Sequence, residues 1–395
     1  MKKLNFIIKY GLALLLLSFY SCESWLNVTP SDRLSEEMLF NDREGFVKAL
    51  NGVYIELNTN ELYGRNLTAG ALDVMGQYYS VASSSHAFYN YGGLVYTGND
   101  EKALFDNMWQ KCYAVIACCN TIIEKCDENK AGLSPVWRGS IKGEALALRA
   151  MLHFDMLRLF GPLTSELDKE SIPYQTNSDQ TVTPLLSGSE VVGLILDDLK
   201  NAVGLLKDTD PYFVEEEFSD TDLNYRRFRM NYFAAKGLMA RVQLWGGDKE
   251  KAAATAKEVI AEGQAEGAEF FPFVTNSEAT SSNPDRVFYS EVLFGTYHSS
   301  REKLHEDLFA PTLESTSILT LAGTARRDDL YDNENDYRYS VWSTYNKNGT
   351  SVLYHRKFEK QDNVTASRQY MIPLIRMSEM YLIAVECCKL DEASV

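Results

Sequence analysis

Residues 143–162 read GEALALRAMLHFDMLRLFGP, and this stretch decides the fold. Together with Ile141, it places apolar side chains at every third or fourth position as far as Leu159. This spacing lines one face of an α-helix, which has about 3.6 residues per turn. Gly161 and Pro162 end the pattern, because glycine is favoured at helix ends and proline cannot continue a helix. The stretch therefore predicts a long helix that stops at Gly161.

The same spacing recurs along the rest of the chain. It begins behind a capping Asn41 or Asp42, and Ser189 is expected to cap a helix that runs to Leu206. Helical segments are predicted at about 41–59, 102–160, 189–206, 231–262 and 374–390, and polar, loop-rich segments at about 60–100 and 276–370. The sequence therefore predicts a mainly α fold whose helical framework carries long loops. Loops of this length in a compact domain are usually functional.

The composition is that of an acidic globular protein. The 395 residues include 39 Lys and Arg against 55 Asp and Glu, which gives a formal net charge of −16. This balance argues against a basic nucleic-acid surface, so no nucleic-acid partner is expected. With 45% hydrophobic and 24% charged residues, the chain is long enough for one large domain or two to three smaller ones.

The N-terminus has the features of a secretory signal. Lys2 and Lys3 precede an apolar run at 11–17, which is too short for a membrane-spanning helix of about 20 residues. The run ends shortly before Cys22, so we expect a lipoprotein signal peptide at 1–21 and lipidation of Cys22. An ordinary cleaved signal followed by an incidental cysteine is the alternative.

The other cysteines favour core packing. Cys112, Cys119 and Cys126 are seven residues apart in a predicted helix, so neighbours are separated by a rise of about 10 Å. Disulfides need Cα atoms within about 7 Å, so these neighbours cannot bridge. Metal binding together with Cys118 is the alternative, but the same face carries apolar residues, and buried thiols are expected.

Motifs for catalysis and cofactor binding are missing from the sequence. HExxH, GxSxG, GxxxxGK[ST] and GxGxxG do not occur, so no catalytic residue, cofactor or metal site is predicted. A glycosidase stays open, because it needs only two carboxylates that the fold brings together. Asp220–Asn224 and Asp332–Asp336 are weak candidates for a Ca²⁺ site, since Tyr225 stands where an EF-hand loop needs glycine.

Four stretches together resemble one family. The residues from Gly143 to Pro162 resemble the "LRA…F…L…YG" signature of SusD/RagB outer-membrane nutrient-uptake lipoproteins. The matching order continues with an "I…DL" helix at 191–199, an "ARVYL…GD…KA" repeat at 239–252 and a "P…R.AE.YL" helix at 372–382. Two departures are Phe160 in place of the signature's Tyr and the end of the chain at Val395, since members normally continue through another helix and a C-terminal segment.

The resemblance implies a fold, a ligand class and a partner. It implies a single SusD-like domain over 22–395, lacking the C-terminal segment, with tetratricopeptide-like helix pairs as the scaffold and loops that bind a nutrient, usually a glycan. It also implies a SusC-like TonB-dependent transporter as partner and a lipid-anchored location at the outer membrane, exposed at the cell surface.

The best ligand-binding candidates lie in an uncharged, tyrosine-rich stretch. No Asp, Glu, Lys or Arg occurs at 74–99, although 24% of the whole chain is charged. Rings can stack on the apolar faces of sugars while polar groups bind the hydroxyls, and packing of these rings within the protein is the alternative. The candidates are Asp73, Gln77, Tyr78, Tyr79, Tyr89, Asn90, Tyr91 and Tyr96, followed by Tyr297 and Trp342 in the second polar segment.

These observations favour a glycan-binding lipoprotein that captures an oligosaccharide and delivers it to a transporter without cleaving it. A relative that binds peptide or another nutrient, a secreted glycosidase and a helical scaffold for protein partners are the alternatives.

Overall fold

The computed structural model describes residues 36–388, apart from 82, 180, 267, 268, 332 and 334. The predicted signal peptide 1–21 and Cys22 therefore lie outside the described residues, as do Asp332 and Glu334 of one cation candidate. Within the described ranges, no helix is both long and apolar enough to cross a membrane.

Seven long helices form the framework of the described chain. They are α1 (Arg43–Leu57), α2 (Asn99–Glu128), α3 (Pro135–Phe160), α4 (Gly188–Thr209), α5 (Tyr232–Trp245), α6 (Lys249–Gly263) and α7 (Met377–Cys387). Shorter helices lie at Glu36–Leu39, Ala71–Met75, Tyr89–Gly92, Asp220–Asn224, Asn276–Thr280, Arg301–Leu308, Thr324–Leu330 and Ala366–Tyr370. Four strands complete the fold: β1 (Val292–Tyr297), β2 (Trp342–Lys347), β3 (Thr350–His355) and β4 (Met371–Arg376). The mainly α prediction is confirmed.

Helix α3 lies at the centre of the framework, where 18 of its 26 residues are buried. It begins behind Ser134, whose hydroxyl accepts a hydrogen bond from the Trp137 backbone N–H, and ends at Phe160 with Gly161 as its cap, as predicted. Gly143 lets α4 approach closely, since a Cβ atom there would lie only 2.7 Å from Cγ of Leu206.

The helices pack in sequential pairs around one large core. Helix α3 packs against both α2 and α4, α5 against α6, and α6 against α7. Cys112, Cys119 and Cys126 are free and buried between these helices, as predicted. This arrangement confirms the tetratricopeptide-like scaffold.

Caps define where the helices begin. The Asp42 carboxylate accepts a hydrogen bond from the Gly45 backbone N–H at 2.8 Å, which confirms one of the two predicted caps of α1. The prediction that Ser189 caps α4 was wrong. Ser187 is the cap, because Glu190 lies three residues later and completes a reciprocal capping box with it.

Buried ion pairs hold the helices together. The guanidinium of Arg149 binds both carboxylate oxygens of Asp198 at 2.7 Å, which joins α3 to α4. The guanidinium of Arg226 pairs with Glu144 and Asp210 in the same core. Arg158 pairs locally with Asp155, as expected for neighbours three residues apart on a helix. Arg149 therefore joins two helices, whereas Arg158 pairs within its own helix.

One predicted helical boundary was wrong. The segment 102–160 comprises the two helices α2 and α3, because Asn129 adopts a left-handed conformation that ends α2 and Pro135 begins α3. The segment predicted to be helical from 374 begins as a strand, since β4 continues to Arg376 and pairs with β1. An apolar run such as 371–375 is compatible with both a buried strand and a helix, and the partner strand decides between them.

The loop-rich segment 276–370 carries more regular structure than the sequence predicted. Strands β2 and β3 form an antiparallel hairpin, and β1 lies against β4. Tyr297 and Trp342, which were predicted in loops, therefore lie in strands. Asp220–Asn224, the other cation candidate, forms a short helix capped by Ser219. Within the described residues, no cluster of three or more His, Cys, Asp or Glu side chains is arranged to hold a metal ion.

The strand-rich part has its own hydrophobic core. This second core contains Tyr79, Tyr91, Phe309, Trp342 and Phe358 among its buried residues. Several of the rings in the uncharged stretch are therefore used to fix the loops onto one another.

Candidate ligand-binding site

A pocket of about 510 Å³ lies in the strand-rich part, where β3 and β4 contribute to its lining. Its volume is within the range of small-ligand sites, about 300–1,000 Å³. Five separated segments line it: Leu67, Thr68, Asp73 and Tyr78; Arg286, Val287 and Phe288; Tyr331, Arg338 and Val341; His355, Lys357 and Phe358; and Ile372, Pro373, Leu374 and Arg376. We call this cavity the main pocket.

Tyr78 and Tyr331 form one wall of the main pocket. Their hydroxyl oxygens are 2.7 Å apart, so one donates a hydrogen bond to the other. Burial, with this hydrogen bond and the Asp73 charge adding to it, raises the pKa of Tyr78, and the hydroxyl stays neutral at pH 7. The wall therefore presents aromatic surface and a pair of joined hydroxyl groups.

Asp73 and Lys357 lie together in the pocket lining. The Lys357 ammonium is 3.4 Å from the Asp73 carboxylate and 3.4 Å from the backbone oxygen of Thr68. About a quarter of each of the two charged side chains is exposed. This pair can exchange part of its mutual contact for hydrogen bonds to a ligand.

His355 is part of the pocket lining, and two buried rings hold it in place. Its ring stacks on the Trp342 ring with centroids 4.3 Å apart, and its Nδ1 atom lies 3.2 Å from the Tyr79 hydroxyl. Burial lowers the pKa of His355 well below its ordinary value, with the neighbouring Lys357 and His305 adding to the effect. The imidazole is therefore neutral at pH 7 and acts in packing and hydrogen bonding.

A tight turn places Arg286 and Phe288 in the pocket lining. The Asp285 carboxylate accepts hydrogen bonds from the backbone N–H groups of Val287, Phe288 and Tyr289 at 3.0, 3.1 and 2.9 Å. These bonds hold the backbone of the turn in place.

Backbone strain occurs in the lining of the main pocket. Phe288 and Phe358 both line it and have φ angles of 52° and 63°, in the left-handed region that side chains rarely adopt. Gln77, with a φ angle of 59°, directly precedes Tyr78. Such residues cost about 1–3 kcal/mol each and are typical of ligand-binding sites. The strain therefore favours this pocket as the functional site.

The lining of the main pocket suits binding. Among the described residues that line it, Asp73 is the only carboxylate, and it faces Lys357. Glycoside hydrolysis commonly needs two carboxyl groups about 5–9.5 Å apart. Rings, hydroxyl groups and basic side chains are, by contrast, the components of a saccharide-binding surface.

Two of the predicted ligand-binding residues line the main pocket, and two others lie behind its wall. Asp73 and Tyr78 line it, while Tyr79 and Trp342 are only 4% exposed and lie behind it through His355. Ligand contact by Asp73 and Tyr78 stays a prediction. Tyr79 and Trp342 are placed where they support the wall.

The remaining candidates of the 74–99 stretch lie elsewhere. Tyr91 is 5% exposed, and Tyr96 packs edge-on against Phe105. The Asn90 side chain donates to the Glu101 carboxylate, and that of Gln77 donates to the Gly92 backbone oxygen. Tyr89 is 43% exposed and does not line the main pocket.

Tyr297 belongs to a separate aromatic cluster at the end of β1. Its ring lies 6.2 Å from that of Tyr225, 5.3 Å from that of Phe228 and 5.3 Å from that of Tyr370, measured between centroids. Tyr225 and Tyr297 are 40% and 37% exposed. The cluster does not contribute to the main pocket.

Sequence reasoning missed most of the basic and aromatic lining. Arg286, Phe288, Tyr331, Lys357 and Phe358 were not predicted. The available signal was that basic and aromatic residues stand side by side in Arg286-Val287-Phe288-Tyr289 and His355-Arg356-Lys357-Phe358, within an acidic chain.

A second cavity of about 920 Å³ lies beside the hairpin and is lined mostly by hydroxyl-bearing and aliphatic residues. Its lysine, Lys347, is already bound to the Glu314 carboxylate at 2.8 Å and to the backbone oxygens of Thr312 and Leu313. No aromatic side chain lines it among the described residues. The main pocket is therefore the better candidate.

Solved structures share this fold. A SusD superfamily protein from Bacteroides thetaiotaomicron superposes with a TM-score of 0.68 at 21% sequence identity, covering 88% of this chain and 76% of that one. A laminarin-binding SusD-like protein superposes with a TM-score of 0.60 at 16% identity, covering 88% and 80%.

Curated relatives match parts of the sequence. SusD-like protein P2 of Formosa agariphila is 25% identical over 265 residues, which are 65% of this chain and 46% of the relative. A SusD-like protein of Bacteroides ovatus is 30% identical over 146 residues, which are 36% of this chain and 23% of the relative. The chain thus spans less than half the length of these curated relatives.

A family model covers more than half of the chain. It is the model of SusD-like proteins described as "starch-binding associating with outer membrane", and it matches residues 24–244. The helical signature at 143–162, the order of the helix pairs and this match indicate the same family. The chain belongs to the SusD-like family.

Proposed function

We propose that this protein is a cell-surface, lipid-anchored receptor that binds an oligosaccharide in the main pocket and delivers it to a SusC-like TonB-dependent transporter without cleaving it. The observation that carries the proposal is the main pocket itself, where Tyr78, Tyr331 and strained Phe288 and Phe358 surround the Asp73–Lys357 pair. Membership of a family described as starch-binding supports a glycan as the ligand class.

The aromatic lining and the polar pairs have separate roles in this proposal. Rings stack on the apolar C–H faces of a sugar, and the exposed parts of Asp73 and Lys357 bind its hydroxyl groups. Because the strained turns hold the lining in place before the ligand arrives, little conformational entropy is lost on binding.

The experiment is calorimetry with a panel of plant, host and microbial polysaccharides, using the chain from residue 23 onward. Tyr78→Ala should weaken binding at least about fivefold, since an aromatic contact is worth about 1 kcal/mol. Tyr89→Ala is the matched control, because Tyr89 is an exposed tyrosine of the same stretch that lies outside the main pocket.

Each outcome separates the alternatives. Binding without release of reducing ends, weakened only by Tyr78→Ala, supports the receptor. Equal loss in both variants places the site elsewhere, and sugar release by the purified chain would make the protein a glycosidase. If folded protein binds no glycan, a peptide or another nutrient becomes the better ligand class.

The anchor and the partner need tests in cells. Replacement Cys22→Ala should abolish labelling with a radioactive fatty acid and release the protein from the outer membrane. Affinity purification of the wild-type lipoprotein should recover a TonB-dependent barrel protein in stoichiometric amount, and recovery of the lipoprotein alone would contradict the delivery step.

A further inference from the structure

The main pocket is basic, although the chain as a whole is acidic. Among the described residues, four basic side chains line it, Arg286, Arg338, Lys357 and Arg376, against the single carboxylate of Asp73. The chain carries a formal net charge of −16, so this local excess of positive charge runs against the overall composition. An excess of charge of one sign in a partly enclosed cavity concentrates ligands of the opposite sign.

Two of the basic groups are only partly neutralised within the protein. The Arg286 side chain is 8% exposed, and its Nη1 atom lies 3.2 Å from the Glu359 carboxylate without a properly directed hydrogen bond. That carboxylate also accepts a hydrogen bond from Nε of Arg356 at 2.8 Å. One carboxylate therefore serves two guanidinium groups, and Arg286 keeps unused hydrogen-bonding capacity.

Arg376 is the second such group. Its guanidinium lies 5.9 Å from the centre of the Phe288 ring, and no carboxylate of the described residues lies within 4.0 Å of it. Burial lowers the pKa of Arg376 from its ordinary value, although Glu291 and Asp285 oppose this effect from a longer distance. An anion placed beside the group would reverse part of the desolvation penalty.

The other two basic groups lie nearer to solvent. Lys357 faces Asp73 at 3.4 Å, and the Arg338 side chain is 65% exposed and binds Asp336 at 2.6 Å. They can guide a negatively charged ligand into the pocket but are already paired. Arg286 and Arg376 are therefore the guanidinium groups with which a buried anion would pair.

We propose that the main pocket selects an oligosaccharide that carries an anionic group, a carboxylate or a sulfate ester, which pairs with Arg286 and Arg376. Guanidinium groups bind such planar or multi-oxygen anions through two hydrogen bonds at once. Arg376 occupies the arginine position of the "P…R.AE.YL" motif, whereas Arg286 lies outside the four stretches that carry the family resemblance. Arg286 is therefore the residue that would distinguish this pocket from those of other family members. The inference rests on the proposed function, since it names the class of glycan.

The test is calorimetry on the chain from residue 23 onward with two matched pairs of probes and two neutral controls. Oligogalacturonate is compared with its methyl ester, a sulfated galactan oligosaccharide with its desulfated form, and both with neutral starch and laminarin oligosaccharides. We expect one anionic probe to bind at least tenfold more tightly than its neutral partner, and its affinity to fall as salt rises from 50 to 500 mM. The carboxylate and sulfate arms identify which anion is selected.

Variants locate the contact. Arg286→Gln should weaken binding of the anionic probe by about tenfold or more and weaken binding of the neutral partner much less, because charged hydrogen bonds are lost. Arg138→Gln is the matched control, since Arg138 is an exposed arginine at the start of α3 outside the main pocket. Arg338→Gln is a second variant at the exposed rim that keeps the test decisive if Arg286→Gln does not fold, and it should reduce both the affinity and its salt dependence.

The experiment distinguishes a failure of the anionic selectivity from a failure of the proposed glycan-binding function. Equal, salt-independent binding of charged and neutral glycans overturns the anionic selectivity and leaves the glycan receptor standing. Anion-selective binding that survives both Arg286→Gln and Arg338→Gln also overturns the inference. Absence of binding to every glycan by folded protein overturns both.

Discussion

The hydroxyl oxygens of Tyr78 and Tyr331 lie 2.7 Å apart, although 253 positions separate these residues in the chain. This hydrogen bond joins the uncharged stretch before α2 to the strand-rich part and lies in the lining of the main pocket. It therefore connects the stability of the second core with the shape of the binding site.

Replacing Tyr331 with phenylalanine should lower the free energy of unfolding by about 1 kcal/mol, because one partly buried hydrogen bond is lost. The measurement is urea denaturation of Tyr331→Phe, Tyr78→Phe and the double variant. The double variant should be little less stable than either single one, since both remove the same bond. Fully additive losses would show that the two hydroxyl groups do not interact.

The bidentate Arg149–Asp198 pair should matter far more than an exposed pair. Arg149→Ala leaves a buried carboxylate that also accepts from the Tyr174 hydroxyl at 2.5 Å, so we expect a loss of about 3–5 kcal/mol. Lys169→Ala is the control, since Lys169 pairs with Glu166 at the surface and should cost at most about 1 kcal/mol. Similar losses for both variants, measured by chemical denaturation, would contradict a role for Arg149 in holding α3 against α4.

His153 should make the protein less stable in acid. Burial lowers its pKa to about 3, and the neutral ring is fully used: Nδ1 lies 2.9 Å from the Arg149 backbone oxygen, and Nε2 accepts from the Gln175 backbone N–H at 3.0 Å. The unfolded chain binds the proton near pH 6.5 and the folded chain only near pH 3, so stability is lost as the pH falls through this window.

The expected slope for His153 is about 1.4 kcal/mol per pH unit between these pKa values. Unfolding free energies measured from pH 7 to pH 4 should show a slope that is smaller by about this amount in His153→Gln. An unchanged slope in the variant would show that His153 titrates normally in the folded protein.

Phe288 should be required for binding more than for stability. Phe288→Asn places a residue that tolerates the left-handed conformation at a φ angle of 52°, so relief of strain offsets part of the lost ring packing. We expect the unfolding free energy to change by no more than about 1 kcal/mol and the glycan affinity to fall at least about fivefold. A large loss of stability with full affinity would assign the ring to the core instead.

The helical framework was predictable because its signal is local. From Phe46 to Leu57 and from Ile141 to Leu159, the apolar residues repeat with the helix period. The buried face of α1 follows that repeat, whereas α3 is buried on all sides from Gly143 to Leu157. The strand β4 was missed because the run 371–375 has no period of its own and gains its conformation from pairing with β1.

The candidate site was predictable only in part. The uncharged stretch contains Tyr78 of the pocket, but the same pattern also marked Tyr79 and Tyr91, which are buried in the second core. Aromatic residues of a loop bury their rings wherever a partner surface exists, and one stretch of sequence does not reveal which rings have partners. Arg286 and Lys357 were not predicted as site residues, because a basic residue in a loop is usually solvated.

The sequence by itself determined the helix pairs, the core cysteines and the family, since periodicity, caps and motifs depend on residues that are close together in the chain. Only the tertiary structure decided that Asp73, Arg286, Lys357 and Arg376 share one pocket. Asp73, Arg286 and Lys357 come from segments separated by many tens of positions, and their proximity to one another and to Arg376 follows from tertiary packing. Charge complementarity and strain at a site arise from that packing, which no local pattern contains.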